Sequence, residues 1–318
     1  MKLCKVIKPG FFTTVQDLGR PGFQRFGVPV SGAMDDYALT AANLLVGNVP
    51  NDACLEITRL GPELEFLRDA QITIAGAVQS AKVNGEGVAC WRTLRIREGD
   101  VLSLGTSLNG CRAYLAVRGG IDVPTVLGSK STYVRGGFGG FRGRQLKTGD
   151  TLEAFENRVP LDAGFSMPRD LIPEYKDELV VEVVLGPQSE YFSEKGLDAF
   201  LSSVYVVTSE SDRMGYRLEG REIEHKGVLD MVSDAIPVGA VQVPRNGKPI
   251  VLMRDAQTTG GYPKIAVVTT PDISRLGQAK PNSRIRFSEV SPTRAREKLL
   301  EYTKTLRLVK TMLIKSGF

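Results

Sequence analysis

The sequence predicts a mainly β protein built from barrels or sandwiches. Short segments rich in β-branched residues recur along the chain, and each is bounded by glycine or proline. The 34 glycines and 17 prolines fall between these segments and mark turns. Only two segments carry a helical pattern, so strands do not alternate with long helices and a Rossmann-type sheet is not expected.

The predicted strands are AQITIAGA, RAYLAVRGG, ELVVEVVLG, SSVYVVTS, PIVLMRDA and KIAVVTT, and EGDVLSLG predicts a turn that leads into another strand. The first helix is expected from Met34 to Val46, where alanines and leucines supply an apolar face. The second lies after Pro292, where apolar residues are spaced alternately by four and three: Ala295, Leu299, Tyr302, Leu306, Val309 and Leu313. This stripe favours a helix packed on its own protein, with a partner-binding or coiled-coil helix as the alternative.

The length of 318 residues indicates two domains. The net charge of +5 resides in residues 291–318, which hold seven cations and two anions, so the rest of the chain is neutral and a general attraction to nucleic acid is not expected. No apolar run is long enough for a membrane span or a signal peptide. Four widely spaced cysteines are typical of reduced thiols, so a cytoplasmic location is expected.

Two motifs occur twice in the same order. RPGFQRFG, from Arg20, resembles RMGYRLEG, from Arg213, and the sequence Arg-Asp-Ala-Gln begins at both Arg68 and Arg254. Such a repeat predicts two similar halves. We therefore expect a first β-barrel domain at residues 1–160, a linker at 161–178, a second β-barrel domain at 179–290 and a basic amphipathic helix at 291–318.

Several classes of site are not expected. The one histidine, His225, lies in the polar stretch EIEHKG and is predicted to be solvated, so neither a histidine triad nor a His-rich metal site is expected. No phosphate-binding loop motif occurs, and no biotin attachment motif is present. The stretch RGGFGGFRGR is interpreted as a flexible loop, with anion binding as the alternative.

Three stretches combine polar residues with glycine. They are TTVQDLGRPG with the following GVPVSGAMD, then SDRMGYR, and finally QTTGGYPKI. Ser31 and Asp35 are expected at the first turn of the helix, where free N–H groups attract anions. Each stretch alone is typical of a turn. Together they favour a polar cleft between the two barrels.

With these motifs the chain resembles the KipA family, also called allophanate hydrolase subunit 2 or biotin-dependent carboxyltransferase-like. The resemblance rests on TTVQDLGRPGFQRFGVPVSGAMD, AANLLVGN, AYLAVRGGIDVPTVLGSKST, SDRMGYRLEG, VQVPRNGKPIVLMRDAQTTGGYPKIA and IRF, in that order. It is strongest to the bacterial 5-oxoprolinase branch of the family. The resemblance implies two tandem cyclophilin-like β-barrels with a few short helices and a C-terminal helix.

The resemblance also implies an assembly and a reaction. A KipI-type B subunit and a lactam-opening third subunit would act with this chain to cleave 5-oxo-L-proline to L-glutamate at the expense of ATP, with Mg2+. ATP would bind mostly on the B subunit or at a subunit interface, and no biotin would be attached to this chain. Two alternatives remain open. One is a regulatory protein that antagonises a KipI-type histidine-kinase inhibitor, and the other is the carboxyltransferase half of a urea-carboxylase-like enzyme.

The site residues implied by the resemblance carry charge or hydrogen-bonding groups, and none of them is assigned as a metal ligand. The catalytic candidates are Lys264, Arg213, Asp17 and Gln257, and the substrate-binding candidates are Arg20, Ser31, Asp35, Tyr216, Thr258, Thr259 and Tyr262. The cations would bind a carboxylate and neutralise phosphate charge. The amide and hydroxyl groups would hold the lactam, the tyrosines would line its ring, and the aspartates would orient arginines or a metal.

Overall fold

A computed structural model of the chain describes residues 1–77, 79–156, 165–227 and 231–315. The chain divides into two compact units. The first contains residues 1–20, 31–175 and the end of the chain from residue 304, and the second contains residues 21–30 and 176–303. The boundary at residues 175 and 176 lies within the segment expected as a linker, of which residues 161–164 are outside the described residues.

The first unit consists of two antiparallel sheets that share one hydrophobic core. Its strands are β1 (Lys2–Lys8), β2 (Phe12–Gln16), β3 (Cys54–Thr58), β4 (Glu63–Phe66), β5 (Ala70–Gly76), β6 (Gln79–Val83), β7 (Glu86–Gly87), β8 (Thr93–Ile96), β9 (Val101–Ser107), β10 (Arg112–Val117) and β11 (Thr151–Glu153). One sheet has the order β11-β1-β4-β9-β6-β7 and the other β2-β3-β10-β5-β8. Apolar residues of both sheets, such as Val6 and Ile72, form a single buried cluster.

Helix α1 (Asp36–Leu45) is the helix predicted from Met34 to Val46. It begins later than predicted because Asp35 is its N-cap and accepts the N–H of Ala38 at 3.0 Å. The helix packs against β5 and β10, and almost all of its residues are buried. The start of α1 is thereby fixed on the five-stranded sheet.

The second unit contains a closed seven-stranded barrel, β12-β19-β16-β17-β14-β13-β20, in which parallel pairing of β12 with β20 accompanies antiparallel ladders. Its elements are β12 (Glu178–Leu185), α2 (Glu194–Ser202), β13 (Tyr205–Val207), β14 (Gly215–Glu219), β15 (Asp234–Ala235), β16 (Ala240–Gln242), β17 (Ile250–Leu252), β18 (Thr259–Gly260), β19 (Lys264–Val268), α3 (Thr270–Leu276), β20 (Arg284–Glu289) and the part of α4 (Pro292–Lys315) that precedes residue 304. Strands β15 and β18 form a separate two-stranded ribbon. The prediction of a mainly β protein with few helices is confirmed. The strands of the first unit are arranged in two sheets.

The C-terminal helix α4 is the predicted amphipathic helix. Near its start, Lys298 Nζ lies 2.9 Å from Glu182 and 3.0 Å from Asp272. Val309 of the apolar stripe is buried, whereas Leu299 is 39% exposed, so the stripe is covered only in part. The Leu313 side chain lies outside the described residues. Within the described residues, no helix has both the length and the apolar character that crossing a membrane requires.

The two repeated motifs differ in how well they correspond. Arg-Asp-Ala-Gln lies at the turn from β4 to β5 in the first unit and at the turn after β17 in the second. In contrast, residues 20–27 include a 3-10 turn (Gln24–Phe26), whereas the matching stretch forms strand β14. The Arg-Asp-Ala-Gln copies share only a turn after a strand, since Ala70 and Gln71 already belong to β5 whereas Ala256 and Gln257 lie outside the strands.

The prediction that His225 is solvated is wrong. The histidine is half-buried, and its ring centroid lies 4.9 Å from that of Phe192. Its Nε2 lies 3.0 Å from the carbonyl oxygen of Val243. A β-bridge between Phe192 and His225 fixes this packing, and such a long-range pairing cannot be inferred from the polar neighbours of the histidine.

Candidate functional site

Asp17 follows β2 and is almost fully buried. Its Oδ1 accepts hydrogen bonds from the hydroxyls of Ser129 at 2.6 Å and Ser131 at 2.5 Å, and from the Gly19 N–H at 2.8 Å. Its Oδ2 accepts the Lys130 N–H at 2.6 Å. These donors come from two separate loops, so the Asp17 carboxylate joins the loops. This geometry favours a structural role for Asp17 over one in proton transfer.

Arg20 lies close to the same loops and is also almost fully buried. Its guanidinium donates to the carbonyl oxygens of Ser131 and Val126 and lies 5.2 Å from the ring centroid of Phe138. A Cβ on Gly139 would overlap the Ser131 carbonyl oxygen and lie 2.8 Å from an Arg20 nitrogen. The close approach of Gly139 therefore requires glycine. Arg20, expected to bind substrate, is held by its own chain.

Ser31 and Asp35 lie on either side of a tight bend before α1. Ser31 is fully buried and has a positive φ of 54°, and a Cβ on Gly32 would lie 2.7 Å from the Gly19 nitrogen. Besides capping α1, Asp35 accepts the Tyr175 hydroxyl at 2.9 Å. Asp35 is therefore at the first helical turn, as expected, and its carboxylate bonds groups of its own unit. The same prediction for Ser31 is wrong, because Ser31 lies four residues before the N-cap.

A buried polar network that the sequence reasoning missed lies beneath this bend. The Tyr114 hydroxyl donates to Glu56 at 2.7 Å and accepts the Asp35 N–H at 2.8 Å. The Met34 N–H donates to the same Glu56 oxygen at 2.8 Å. Burial, and then the charges of Glu56 and Asp35, raise the pKa of Tyr114 well above its usual range. In the sequence, the charged Glu56 inside the otherwise apolar segment CLEIT was a sign of this buried network.

In the second unit, Lys264 begins β19 and has a buried side chain. Its Nζ lies 2.8 Å from Asp234 Oδ2, and the Asp234 side chain is 56% exposed whereas that of Lys264 is 7% exposed. Gln188 accepts the Lys264 N–H at 2.9 Å and donates to Asp234 at 3.2 Å. The hydrogen bond from Lys264 is the main cause of the lowered pKa of Asp234. An ammonium group is thus fixed beneath a carboxylate that reaches solvent.

The stretch from Gln257 to Tyr262 forms a polar rim beside this ion pair. Thr259 and Gly260 pair with Ala235 and Asp234 in the β15–β18 ribbon, and the Thr258 carbonyl accepts the Ile236 N–H at 2.9 Å. The exposed candidates of this stretch are Gln257, Thr259 and Tyr262, and Thr258 is half-buried. Asp234 belongs to the ribbon and bonds Lys264, so the structure brings Lys264 and the four candidates of this stretch into one region. This region is here called the Lys264 site, and it consists of Lys264, Asp234, Gln257, Thr258, Thr259 and Tyr262.

Arg213 and Tyr216 are buried in the same unit. Arg213 forms a bidentate pair with Asp255, with distances of 2.9 Å from Nε and 3.0 Å from the terminal nitrogen. This pair links the turn before β14 to the turn after β17, as expected of an aspartate that orients an arginine. The Tyr216 hydroxyl donates to the Ala279 carbonyl at 3.2 Å. Both side chains are therefore bonded to their own unit.

The carboxylates among the candidate residues and their neighbours are bonded to protein donors. In the described parts of the chain, His, Cys, Asp and Glu side chains form no group of three or more that could hold one. Asp17, Asp35 and Asp255 each bond protein donors instead. The described residues thus contain no all-protein cage for a metal ion, whereas Mg2+ that is bound with a nucleotide needs only one or two carboxylates.

Residues 26–289 match the family described as carboxyltransferase domain, subdomain A and B. The chain belongs to this family. It is 40% identical over 289 residues to the C subunit of 5-oxoprolinase from Escherichia coli, with 91% of the chain and 92% of that protein covered. It is 39% identical over 283 residues to the C subunit of 5-oxoprolinase from Haemophilus influenzae, with 87% and 88% covered.

A solved structure gives the same result for the fold. The crystal structure of the K. lactis urea amidolyase matches 96% of the chain with a TM-score of 0.90 and 32% identity. The chain spans only 20% of that protein. The resemblance to a carboxyltransferase-like family, drawn from sequence motifs, is confirmed.

Proposed function

We propose that this chain is the C subunit of an ATP-dependent 5-oxoprolinase that cleaves 5-oxo-L-proline to L-glutamate. The observation that carries the proposal is the 40% identity to the corresponding E. coli protein, because it extends over 91% of this chain and 92% of that protein. A KipI-type B subunit and a lactam-opening third subunit are the proposed partners. The cytoplasm is the proposed location.

The reaction requires recognition of a small carboxylate and of an amide. A lactam is a resonance-stabilised amide, and ATP supplies the free energy for opening it. Since the sequence contains no phosphate-binding loop motif, we place the nucleotide at the interface with the KipI-type partner. This chain is then expected to bind and orient the lactam.

The Lys264 site is the proposed position of the lactam. Its ammonium group is held by Asp234, whose own carboxylate is exposed, so a substrate anion can replace Asp234 without burying an unpaired charge. Thr258, Thr259 and Gln257 supply hydroxyl and amide groups for the lactam N–H and C=O. Tyr262, which is 48% exposed, is available to cover the ring.

The other candidates are proposed to position loops. Arg20 and Asp17 bond the loop that contains Ser131, and Arg213 bonds Asp255. A guanidinium that is already bonded to its own chain must break those bonds before it binds substrate, and for a buried pair this is costly. We therefore assign substrate contact to Lys264 rather than to these arginines.

One specific observation favours a second function. The TM-score of 0.90 to urea amidolyase supports a carboxyltransferase role, in which a carboxyl group would pass from biotin to an amide or amine. A regulatory role against a KipI-type kinase inhibitor would require partner binding without chemistry. The three roles differ in what the assembled complex converts.

The experiment is reconstitution of the complex from this chain, the KipI-type B subunit and the third subunit. We expect glutamate formation that requires ATP, 5-oxoproline and all three proteins. Omission of this chain should abolish it. If the complex is assembled and glutamate forms equally well without this chain, the proposal is wrong. Carboxylation of urea by a biotinylated carrier protein would favour the second function instead.

A further inference from the structure

Gln242 lies beside the Lys264 site, although the sequence reasoning did not single it out. It ends β16 and pairs with Lys264, the first residue of β19. Residues that face each other in a ladder place their side chains on the same side of the sheet, with Cβ atoms about 4.5–5.5 Å apart. Both side chains are almost fully buried. The Lys264 ammonium group therefore has a carboxamide as its neighbour on the next strand.

The β15–β18 ribbon contacts both of these side chains. Asp234 of the ribbon bonds Lys264, and Gly260, which pairs with Asp234, lies against Gln242. A Cβ on Gly260 would lie 3.0 Å from Gln242 Nε2 and 2.7 Å from Ile236 Cδ1. An amide group and an apolar side chain thus meet at one point beneath the ribbon.

The Gln242 carboxamide has hydrogen-bonding groups that its own unit does not use. Among the described residues its side chain makes one hydrogen bond, from Nε2 to the Tyr262 carbonyl oxygen at 3.3 Å. A carboxamide has two N–H donors and an accepting oxygen, so one donor and the acceptor remain for a ligand. Gln257 supplies a second amide nearby, because its Nε2 lies 3.8 Å from the same Cβ position on Gly260.

We propose that Gln242 is a substrate-binding residue that recognises the amide edge of the lactam, an assignment that rests on the proposed function. The ring of a lactam holds its amide cis, so the N–H and the C=O lie on the same edge, whereas an open-chain amide is trans and places them on opposite sides. A carboxamide also presents an N–H beside a C=O, so it forms two hydrogen bonds with a lactam at once. Gln242 thereby favours lactams over open-chain amides and over rings that lack the N–H.

The position of Gln242 agrees with binding of the substrate carboxylate at Lys264. In 5-oxoproline the carboxylate is attached to the carbon next to the ring nitrogen. Adjacent strands are about 4.7–4.9 Å apart, a distance that a five-membered ring spans. When the carboxylate replaces Asp234 at the ammonium group, the amide edge of the ring therefore reaches the strand of Gln242. Ile236 is available to contact the methylene groups on the other side of the ring.

The test is titration calorimetry of the assembled complex with a non-hydrolysable ATP analogue, so that binding occurs without turnover. The probes are 5-oxo-L-proline and its lactone analogue, 5-oxotetrahydrofuran-2-carboxylate, in which oxygen replaces the ring N–H. In the unmodified complex the lactone should bind at least about tenfold more weakly, because it leaves the Gln242 oxygen without a donor.

The informative variant is Gln242→Met, which keeps the length of the side chain and removes both hydrogen-bonding groups. We expect the Kd of the lactam to rise about tenfold and the preference over the lactone to fall to within about twofold. If Gln242 only held the Tyr262 backbone, the variant would weaken both probes equally. The matched control is Gln278→Met, a change at another buried glutamine of the same unit that lies outside the Lys264 site. It should keep the preference for the lactam.

A second pair of variants tests the position of the ring without changing Gln242. Gly260→Ala adds a methyl group between the ribbon and Gln242, whereas the nearest atoms to a Cβ on Gly261 are 3.5 Å and 3.6 Å away. We expect Gly260→Ala to raise the Kd of both probes at least about fivefold, and Gly261→Ala to leave it within about twofold. This pair, with the lactam preference of the unmodified complex, carries the test if Gln242→Met does not fold.

The outcomes separate the role of Gln242 from the proposed function. If the assembled complex binds no 5-oxoproline and forms no glutamate, the proposed function is wrong. If it forms glutamate but binds the lactone as tightly as the lactam, or if folded Gln242→Met keeps the preference, only the assignment of Gln242 is wrong. Equal affinities in the two alanine variants would place the ring elsewhere and would also overturn the assignment.

Discussion

Replacing Asp17 by asparagine is expected to destabilise the first unit by about 3 kcal/mol. The Asp17 carboxylate accepts four hydrogen bonds, from Ser129, Lys130, Ser131 and Gly19. In asparagine one oxygen becomes an NH2 group that must face a backbone N–H, and an unsatisfied buried donor costs about 1–3 kcal/mol. The bonds that remain lose their charge-assisted character, which weakens each by roughly half.

Urea unfolding followed by the fluorescence of Trp91, the one tryptophan of the chain, measures this loss. Trp91 belongs to the same unit and is buried. The matched control is Asp69→Asn, because Asp69 is exposed and accepts one described backbone hydrogen bond, from Glu98. It should lose less than about 1 kcal/mol. Equal losses in both variants would refute the assignment of Asp17 as the group that joins two loops.

Three further predictions concern buried groups. Arg213→Lys should lose the bidentate pair with Asp255 and about 2 kcal/mol of stability, which faster amide hydrogen exchange in the second unit would reveal; unchanged exchange would contradict it. Gly139→Ala should lower the free energy of unfolding in urea by at least about 2 kcal/mol more than Gly137→Ala. Both glycines have a positive φ, but only Gly139 lacks space for a Cβ. Equal losses would argue against the close contact at Gly139. Burial raises the pKa of Tyr205 to about 12. Its contribution to stability is therefore complete below about pH 10, the pKa of an unfolded tyrosine, and is lost as the pH rises toward 12. Absorbance compared with Tyr205→Phe should show that Tyr205 ionises near pH 12, and ionisation near the ordinary pKa would contradict the prediction.

Local patterns in the sequence were sufficient for much of the fold. Short segments rich in β-branched residues predicted the strands, and the alanines and leucines between Met34 and Val46 predicted α1. Local patterns did not predict which strands pair with one another. Whether β1 pairs with β11, nearly 150 residues away, depends on long-range packing that local periodicity does not encode. The first unit accordingly forms two sheets although the repeat suggested a copy of the second.

The same limit applies to the candidate site. The sequence identified Asp17, Arg213 and Lys264 as polar residues beside glycine-rich turns. It could not show what each one contacts, because Asp17 bonds Ser131 across 114 positions and Arg213 bonds Asp255 across 42. A charged residue in a turn has the same local sequence whether it binds a ligand or another loop. Only the contacts separate Lys264, with its exposed partner, from the two residues that are buried among protein donors and acceptors.

The most direct test of the account is the activity of the reconstituted complex with Lys264→Ala. The variant should fold, since Asp234 is exposed enough to be hydrated once its partner is removed. The matched control is Lys248→Ala, which removes a lysine whose side chain is 39% exposed and lies 2.7 Å from Glu219 in the same unit. We predict that ATP-dependent glutamate formation is lost in Lys264→Ala and retained in Lys248→Ala. Full activity in the folded Lys264→Ala complex would contradict the placement of the lactam at this lysine.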